Sequence, residues 1–211
     1  MANFLDKVQP KNKAQLKSLI EYAFNHNIYD LNFIDTSKIT NMSNLFINCE
    51  YDIDVSNWDV SNVTNMLAMF YCCYDFNCDL SKWDVSNVTN MSYMFSNCYK
   101  LEGKGLEHWD VSNVTNMWHL FNGCKKLDCD LSDWNVSKVK DMTSMFNGCK
   151  NFNCNLSRWN MSKVRNISYM FYNCTSFKGE GLYMWDASNI DDAIKTFKGC
   201  NKLTIPTWYN G

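Results

Sequence analysis

The feature that most constrains this chain is an internal repeat of about 25 residues. Tryptophan recurs at intervals of 25 or 26 residues, at Trp58, Trp83, Trp109, Trp134, Trp159 and Trp185. An earlier unit has Ile34 in the tryptophan position, 24 residues before Trp58. Each unit reads approximately Trp-Asp-Val-Ser-x-Val-Thr-x-Met-x-x-Met-Phe-x-x-Cys. A unit this short cannot bury its own apolar residues, so successive units must pack against one another.

Three residue types keep their place in every unit. The serines are Ser37, Ser61, Ser86, Ser112, Ser137, Ser162 and Ser188. The phenylalanines are Phe46, Phe70, Phe95, Phe121, Phe146, Phe171 and Phe197. The cysteines are Cys49, Cys73, Cys98, Cys124, Cys149, Cys174 and Cys200. Such constancy within one sequence indicates residues that the packing of the units requires.

The repeat period predicts the fold class. A period near 25 residues falls in the range of leucine-rich repeats, and we expect a leucine-rich-repeat-like solenoid of about seven coils. The segment Asp79–Val85 predicts a short parallel β-strand, and Met91–Cys98 has the i, i+3, i+4, i+7 spacing of a short helical turn.

Three regions follow from this interpretation. Residues 1–27 form an N-terminal cap, because Lys11–Asn25 carries an amphipathic helical stripe. Residues 28–203 form the seven-repeat solenoid. Residues 204–211 form a C-terminal cap or an incomplete repeat. Leu203–Trp208, which begins one residue earlier, resembles a final strand, and Pro206 discourages further pairing.

Charge and composition exclude several classes of function. Twenty Lys and Arg against 22 Asp and Glu give a net charge of −2, which offers no general attraction for nucleic acid. No apolar run is long enough for a transmembrane segment. The first residues lack a signal peptide, and the first cysteine, Cys49, is too late for lipid attachment. As written, the sequence predicts a cytoplasmic protein.

The repeat motifs resemble those of the BspA family of leucine-rich-repeat surface proteins. The matching segments are Trp83-Asp-Val-Ser-Asn-Val-Thr-Asn-Met91 and Tyr93-Met-Phe-Ser-Asn-Cys98, with their copies over about residues 10–208. The resemblance implies a bacterial protein that mediates protein interaction or adhesion without catalysis. It also implies a cell-surface or secreted location if a leader has been removed.

The cysteine column admits three interpretations: a buried row of free thiols, a disulfide system or a metal site. Cys98, Cys174 and Cys200 keep their place without a second cysteine nearby. Because cysteine behaves as a small buried apolar residue, and zinc prefers four converging ligands, the free-thiol interpretation is favoured. We predict no metal, no cofactor and no enzymatic activity, since no nucleophile or phosphate loop stands apart from the repeat.

The best candidate binding surface is the column after the tryptophan. Its members are Asp35, Asp59, Asp84, Asp110, Asn135, Asn160 and Asp186. These residues are either turn acids bonded to the backbone or a polar recognition strip. Next to them in the fifth and sixth units, basic residues replace Asn and Thr, at Lys138, Lys140, Lys163 and Arg165. The functional hypothesis is that the acidic strip and this basic patch contact a protein partner.

Three functions compete. The first is a non-catalytic protein-binding or adhesion module that presents a repeated face to a macromolecular partner. The alternative is a structural spacer, or a repeat protein that assembles end to end with itself. An ice-binding protein is rejected, because Lys140, Arg165 and Asp191 interrupt the threonine column.

Overall fold

The computed structural model describes residues 7–210 of the chain. The first six residues of the predicted N-terminal cap, and Gly211 of the predicted C-terminal cap, lie outside the described residues. The α-helix of this range, α1, spans Lys13–Asn25. It begins after Asn12, whose side-chain oxygen accepts a hydrogen bond from the Gln15 N–H at 3.0 Å.

The helix α1 packs against the first repeat. Leu16, Ile20 and Ala23 are buried, so the amphipathic stripe predicted from the sequence is confirmed. The Lys13 ammonium donates to the Ser43 hydroxyl at 2.7 Å, which fixes one end of the helix on the repeat. Within residues 7–210, no helix has the length and apolar composition needed to cross a membrane.

The predicted leucine-rich-repeat-like solenoid, with a strand and a helical turn in each of about seven coils, is wrong. Beyond α1, the described residues contain no β-strand and no sheet. Their only helical segments are two 3₁₀-helices of three residues each, Leu106–His108 and Leu182–Met184. The repeats are built from tight turns, and the β-type pairing between neighbours in the described residues is limited to isolated parallel bridges, such as that of Asn65 with Asn90.

Side-chain turns explain why the predicted strand is absent. Asp79 Oδ1 accepts a hydrogen bond from the Ser81 N–H at 3.0 Å, and the Trp83 N–H donates to Leu80 O at 3.1 Å. Five residues later Ser86 bonds to Asp84 in the same way. An Asp or Asn that binds the backbone two residues ahead closes a turn, so the chain cannot remain extended through Asp79–Val85.

Bonds to the next repeat replace the predicted helix. In Met91–Cys98, Tyr93 and Asn97 have positive φ values of 58° and 64°. The N–H groups of residues 91, 93, 95 and 97 donate to carbonyls of the following repeat at 2.6–3.2 Å. A helix of two turns is costly to nucleate, whereas these bonds are made to the backbone of a neighbouring repeat. The apolar spacing therefore indicates which side chains are buried, but it does not by itself indicate a helix.

We call this segment the ribbon of each repeat. The ribbons are residues 42–48, 66–72, 91–97, 117–123, 142–148, 167–173 and 193–199. In each ribbon that has a successor, the N–H groups of alternate residues donate to alternate carbonyls of the following repeat, at 2.6–3.3 Å. The first of these carbonyls belongs to the residue just before the next ribbon, and the other three lie within it. The bonds all run in one direction along the molecule.

Aromatic side chains fill the interior. The phenylalanine rings of neighbouring repeats stack with centroids 5.4–5.8 Å apart and nearly parallel planes. Each buried indole N–H donates to a carbonyl of the preceding repeat, for example from Trp134 to Leu106 O at 2.8 Å. Trp208 makes the same bond to Leu182 O at 2.8 Å. It therefore continues the tryptophan column, and the final strand predicted at Leu203–Trp208 is absent.

Candidate protein-binding face

The acidic column that follows the tryptophans closes turns. Each Asp or Asn of this column accepts, through its Oδ1, the N–H of the serine two residues ahead, at 2.9–3.2 Å. The column members predicted to contact a partner are Asp59, Asp84, Asp110, Asn135 and Asn160, and all five are exposed. The structure thus places these residues at the surface and gives each one a structural hydrogen bond.

Asp59, Asp84 and Asp110 accept these hydrogen bonds on Oδ1, whereas Asp35 also accepts one from Gln9 on Oδ2. Hydrogen bonds from Ser86 hold the pKa of Asp84 below its ordinary value, so this carboxylate is charged at neutral pH. Asp59 and Asp84 line one shallow depression of about 240 Å³ together with Lys82. Lys82 itself donates to Asn57, so a lysine lies beside these two acids.

The basic patch, defined as Lys138, Lys140, Lys163 and Arg165, interrupts two ladders that cross the early repeats. In those repeats an asparagine at the Lys138 position donates to a carbonyl of the preceding unit, as Asn87 Nδ2 does to Ser61 O at 2.8 Å. Lys138 instead donates to Asn113 Oδ1 at 2.7 Å.

The second ladder is made by threonines. Thr89 Oγ1 donates to Thr64 O at 3.1 Å, and Lys140 and Arg165 occupy the equivalent positions two and three repeats later. The Arg165 N–H donates to Lys140 O at 2.9 Å, so these two residues are neighbours in the structure. Arg165 also lies 3.7 Å from Asp191.

The four residues of the basic patch are exposed. Within residues 7–210, the ammonium groups of Lys140 and Lys163 make neither a hydrogen bond nor an ion pair. The Asn and Thr that they replace each bond to the preceding repeat. These positions therefore give up a structural bond and leave a free cation at the surface.

The cysteines of the repeated column pack in the interior and donate hydrogen bonds. From Cys73 onward, each thiol of the column donates to the phenylalanine carbonyl of the preceding repeat at 2.9–3.1 Å. All the cysteines of the chain are free thiols. Burial raises the pKa of Cys73 to about 12 and that of Cys200 to about 11. These thiols are protonated at neutral pH, which makes them poor nucleophiles.

No candidate metal centre is found in the described part of the chain, where no three His, Cys, Asp or Glu side chains are grouped to hold an ion. The repeated serines, two residues after the acidic column, use their N–H groups in turns. What this surface can do chemically is to present charges and hydrogen-bonding groups at regular intervals.

An aromatic cluster escaped the analysis of the sequence. Tyr93 lies in contact with Tyr71, Trp118 and His119, with ring centroids 5.9, 5.1 and 4.7 Å away. Trp118 is 39% exposed. Burial lowers the pKa of His119, whose Nδ1 has no hydrogen-bond partner among residues 7–210. The sequence signal for this cluster was that the residue type changes from repeat to repeat at these ribbon positions, whereas the neighbouring columns are constant.

Comparison with known proteins identifies the family. Residues 14–104 and 97–208 match the family described as "Mycoplasma protein of unknown function, DUF285". The matches cover most of the sequence, and the chain belongs to this family. Neither the curated proteins nor the solved structures gave a match.

Proposed function

We propose that this chain is a non-catalytic protein-binding module whose partner contacts the exposed acidic column and the basic patch. The observation that carries the proposal is the exchange at Lys140 and Lys163. There, residues that would bond to the preceding repeat are replaced by cations with no partner among the described residues. A substitution that forgoes a structural bond for an exposed charge is understandable if the charge meets another molecule.

The division of roles between constant and variable residues supports the same proposal. The phenylalanine, tryptophan and cysteine columns are committed to stacking and to bonds between repeats. Surface positions that vary between repeats are free to encode specificity. The family also occurs in BspA-like surface proteins, and we propose a similar interaction role for this chain.

The test is a quantitative capture experiment with the full chain as bait and a lysate of its own organism. Three baits are compared: the wild type, the double reversal Lys140→Glu with Arg165→Glu, and a control reversal, Lys150→Glu with Lys202→Glu. The control makes the same change in net charge at exposed lysines outside the basic patch. We expect an acidic protein to be captured by the wild type and the control, and about tenfold less by the patch variant.

Folding is checked in the same samples. Exposed charges contribute at most about 1 kcal/mol, so all three baits should unfold at similar denaturant concentrations. Equal capture by all three baits contradicts the assignment of the face. Loss of capture on Trp118→Ala alone, in a folded protein, would move the binding surface to the aromatic cluster.

A further inference from the structure

The last ribbon, residues 193–199, has an open row of hydrogen-bond donors. In every earlier ribbon, four alternate N–H groups donate to the next ribbon, as Ile167, Tyr169, Phe171 and Asn173 do. Their equivalents in the last ribbon are Ala193, Lys195, Phe197 and Gly199. Among residues 7–210, nothing accepts from these four N–H groups. We call this row the donor edge.

An apolar groove lies beside the donor edge. It has a volume of about 530 Å³ and is lined by Ile190, Ala193, Ile194, Trp208 and Tyr209, with three further residues. Ile194 is 56% exposed. Val164, which corresponds to Ile190 one repeat earlier, is fully buried because the following repeat covers it.

The C-terminal segment covers a different part of this end. Trp208 and Tyr209 pack edge-on against Phe197, with centroids 6.0 and 4.8 Å away. The Tyr209 hydroxyl donates to Ala193 O at 3.1 Å. These contacts shield the aromatic interior, but they supply no acceptor to the donor edge.

The two ends of the molecule are not equivalent. At the first repeat, the corresponding row is made of carbonyls, those of Asn41, Ser43, Leu45 and Ile47, because the bonds between ribbons all run in one direction. There α1 occupies the position of a preceding repeat, and Lys13 bonds to Ser43. A second copy of this chain would have to displace α1 in order to offer its carbonyl row.

We propose that the donor edge binds a polypeptide segment of another protein, which adds one further ribbon to the chain. The internal junctions define the chemistry of that segment. It presents backbone carbonyls from alternate residues to the four N–H groups, and it places an apolar side chain in the groove beside Ile194. Addition of a segment to an exposed backbone edge is a common form of peptide recognition, and an open edge is an attachment site unless it is covered. This inference rests on the proposal that the chain binds protein, but it uses a separate surface.

The probe is a synthetic peptide of residues 164–175 of this chain, with Cys174→Ser to prevent oxidation. In the chain, this segment accepts bonds from Met142, Ser144, Phe146 and Gly148 at 2.7–3.0 Å through alternate carbonyls. The peptide and a scrambled version are titrated into the ¹⁵N-labelled full chain. We expect the amide resonances of the donor edge to shift when the peptide of native sequence is added, and not to shift with the scrambled peptide.

Two exposed isoleucines provide matched variants. Ile194→Asp alters the groove, whereas Ile205→Asp alters a residue that is 59% exposed and does not line it. The first variant should weaken peptide binding about tenfold, and the second should leave it unchanged. The double variant Lys140→Glu with Arg165→Glu should also leave peptide binding unchanged. A failure of the donor-edge proposal can therefore be distinguished from a failure of the proposal for the basic patch.

Three results would overturn the inference. One is that no donor-edge amide resonance shifts with the peptide of native sequence. Another is that the scrambled peptide shifts these resonances as much as the native-sequence peptide does. The third is that the same amides shift with protein concentration in the absence of peptide, which would assign the edge to a second copy.

Discussion

The buried cysteines show why a single residue type is kept at one interior position of every repeat. Cys124 is fully buried, and its thiol donates to Phe95 O at 3.0 Å. Alanine would leave a small cavity and no donor, and serine would place a more strongly hydrated hydroxyl there. A small, polarisable side chain with a weak donor suits this position, which explains why the column is constant although no disulfide is formed.

Burial of these thiols predicts a loss of stability at alkaline pH. Their pKa values are raised from an ordinary value of 9.0, to about 12 for Cys73 and about 11 for Cys200. Above about pH 9 the unfolded chain releases thiol protons that the folded chain retains. The contribution of these thiols to the free energy of unfolding should therefore be constant below about pH 9 and fall above it, by up to about 1.4 kcal/mol per pH unit for each thiol.

Urea denaturation between pH 7.5 and 10.5 measures this fall. The Cys124→Ser variant serves as the control, because the serine hydroxyl does not ionise in this range. Its free energy of unfolding should fall less steeply with pH, by the contribution of one thiol. Thiolate absorbance that appears near pH 9 in the folded protein would show that the column is not buried.

At the level of single residues, the sequence predicted burial and exposure well. The tryptophan, phenylalanine and cysteine columns were assigned to the scaffold, and the acids and bases of the candidate face were expected at the surface. Whether Asp84 and its equivalents close turns or bind a partner could not be decided, because both roles require an exposed acid. The Asp-x-Ser spacing was the available signal for the turns.

The elements themselves were predicted poorly, for a physical reason. Apolar spacing reports which side chains are buried, and a ribbon buries Met91, Met94, Phe95 and Cys98 as a helix would. The distinguishing signal lies two residues after each phenylalanine, where Asn and Gly predominate and φ is positive, as at Asn97 and Gly123. The capping helix α1 was predictable because it makes its own backbone bonds.

Two glycines test the backbone conformation of the repeats. Gly105 and Gly148 both have positive φ, at 92° and 74°. A Cβ at Gly105 would lie 2.2 Å from the backbone nitrogen of Ser81, whereas at Gly148 the nearest backbone atom is 3.7 Å away. Gly148→Ala should cost about 1–2 kcal/mol for the left-handed conformation alone. Gly105→Ala should cost about 3–5 kcal/mol, because the backbone must also shift.

Chemical denaturation of the two variants measures this difference. Since both substitutions add one methyl group at a positive φ, the comparison isolates the close approach between neighbouring repeats. Equal destabilisation would contradict the packing of Gly105 against Ser81.

On the scale of the whole molecule, the one-way direction of the bonds between ribbons is the central feature. It gives the chain a carbonyl row at one end, beside α1, and a donor edge at the other. It also commits the constant columns to the junctions between repeats, which leaves the variable surface residues available for a partner. In the expected strand-and-helix solenoid, donors and acceptors would alternate along both sides of each strand. A row of donors alone at one end is therefore a consequence of the observed fold.

Amide hydrogen exchange of the full chain, followed by NMR, tests this central claim most directly. The N–H groups of Ile167, Tyr169, Phe171 and Asn173 are bonded to the next ribbon, and those of Ala193, Lys195, Phe197 and Gly199 are not. We predict slow exchange for the first set and fast exchange for the second. Similar protection of the two sets would contradict the one-way ladder and, with it, this description of how the repeats are joined.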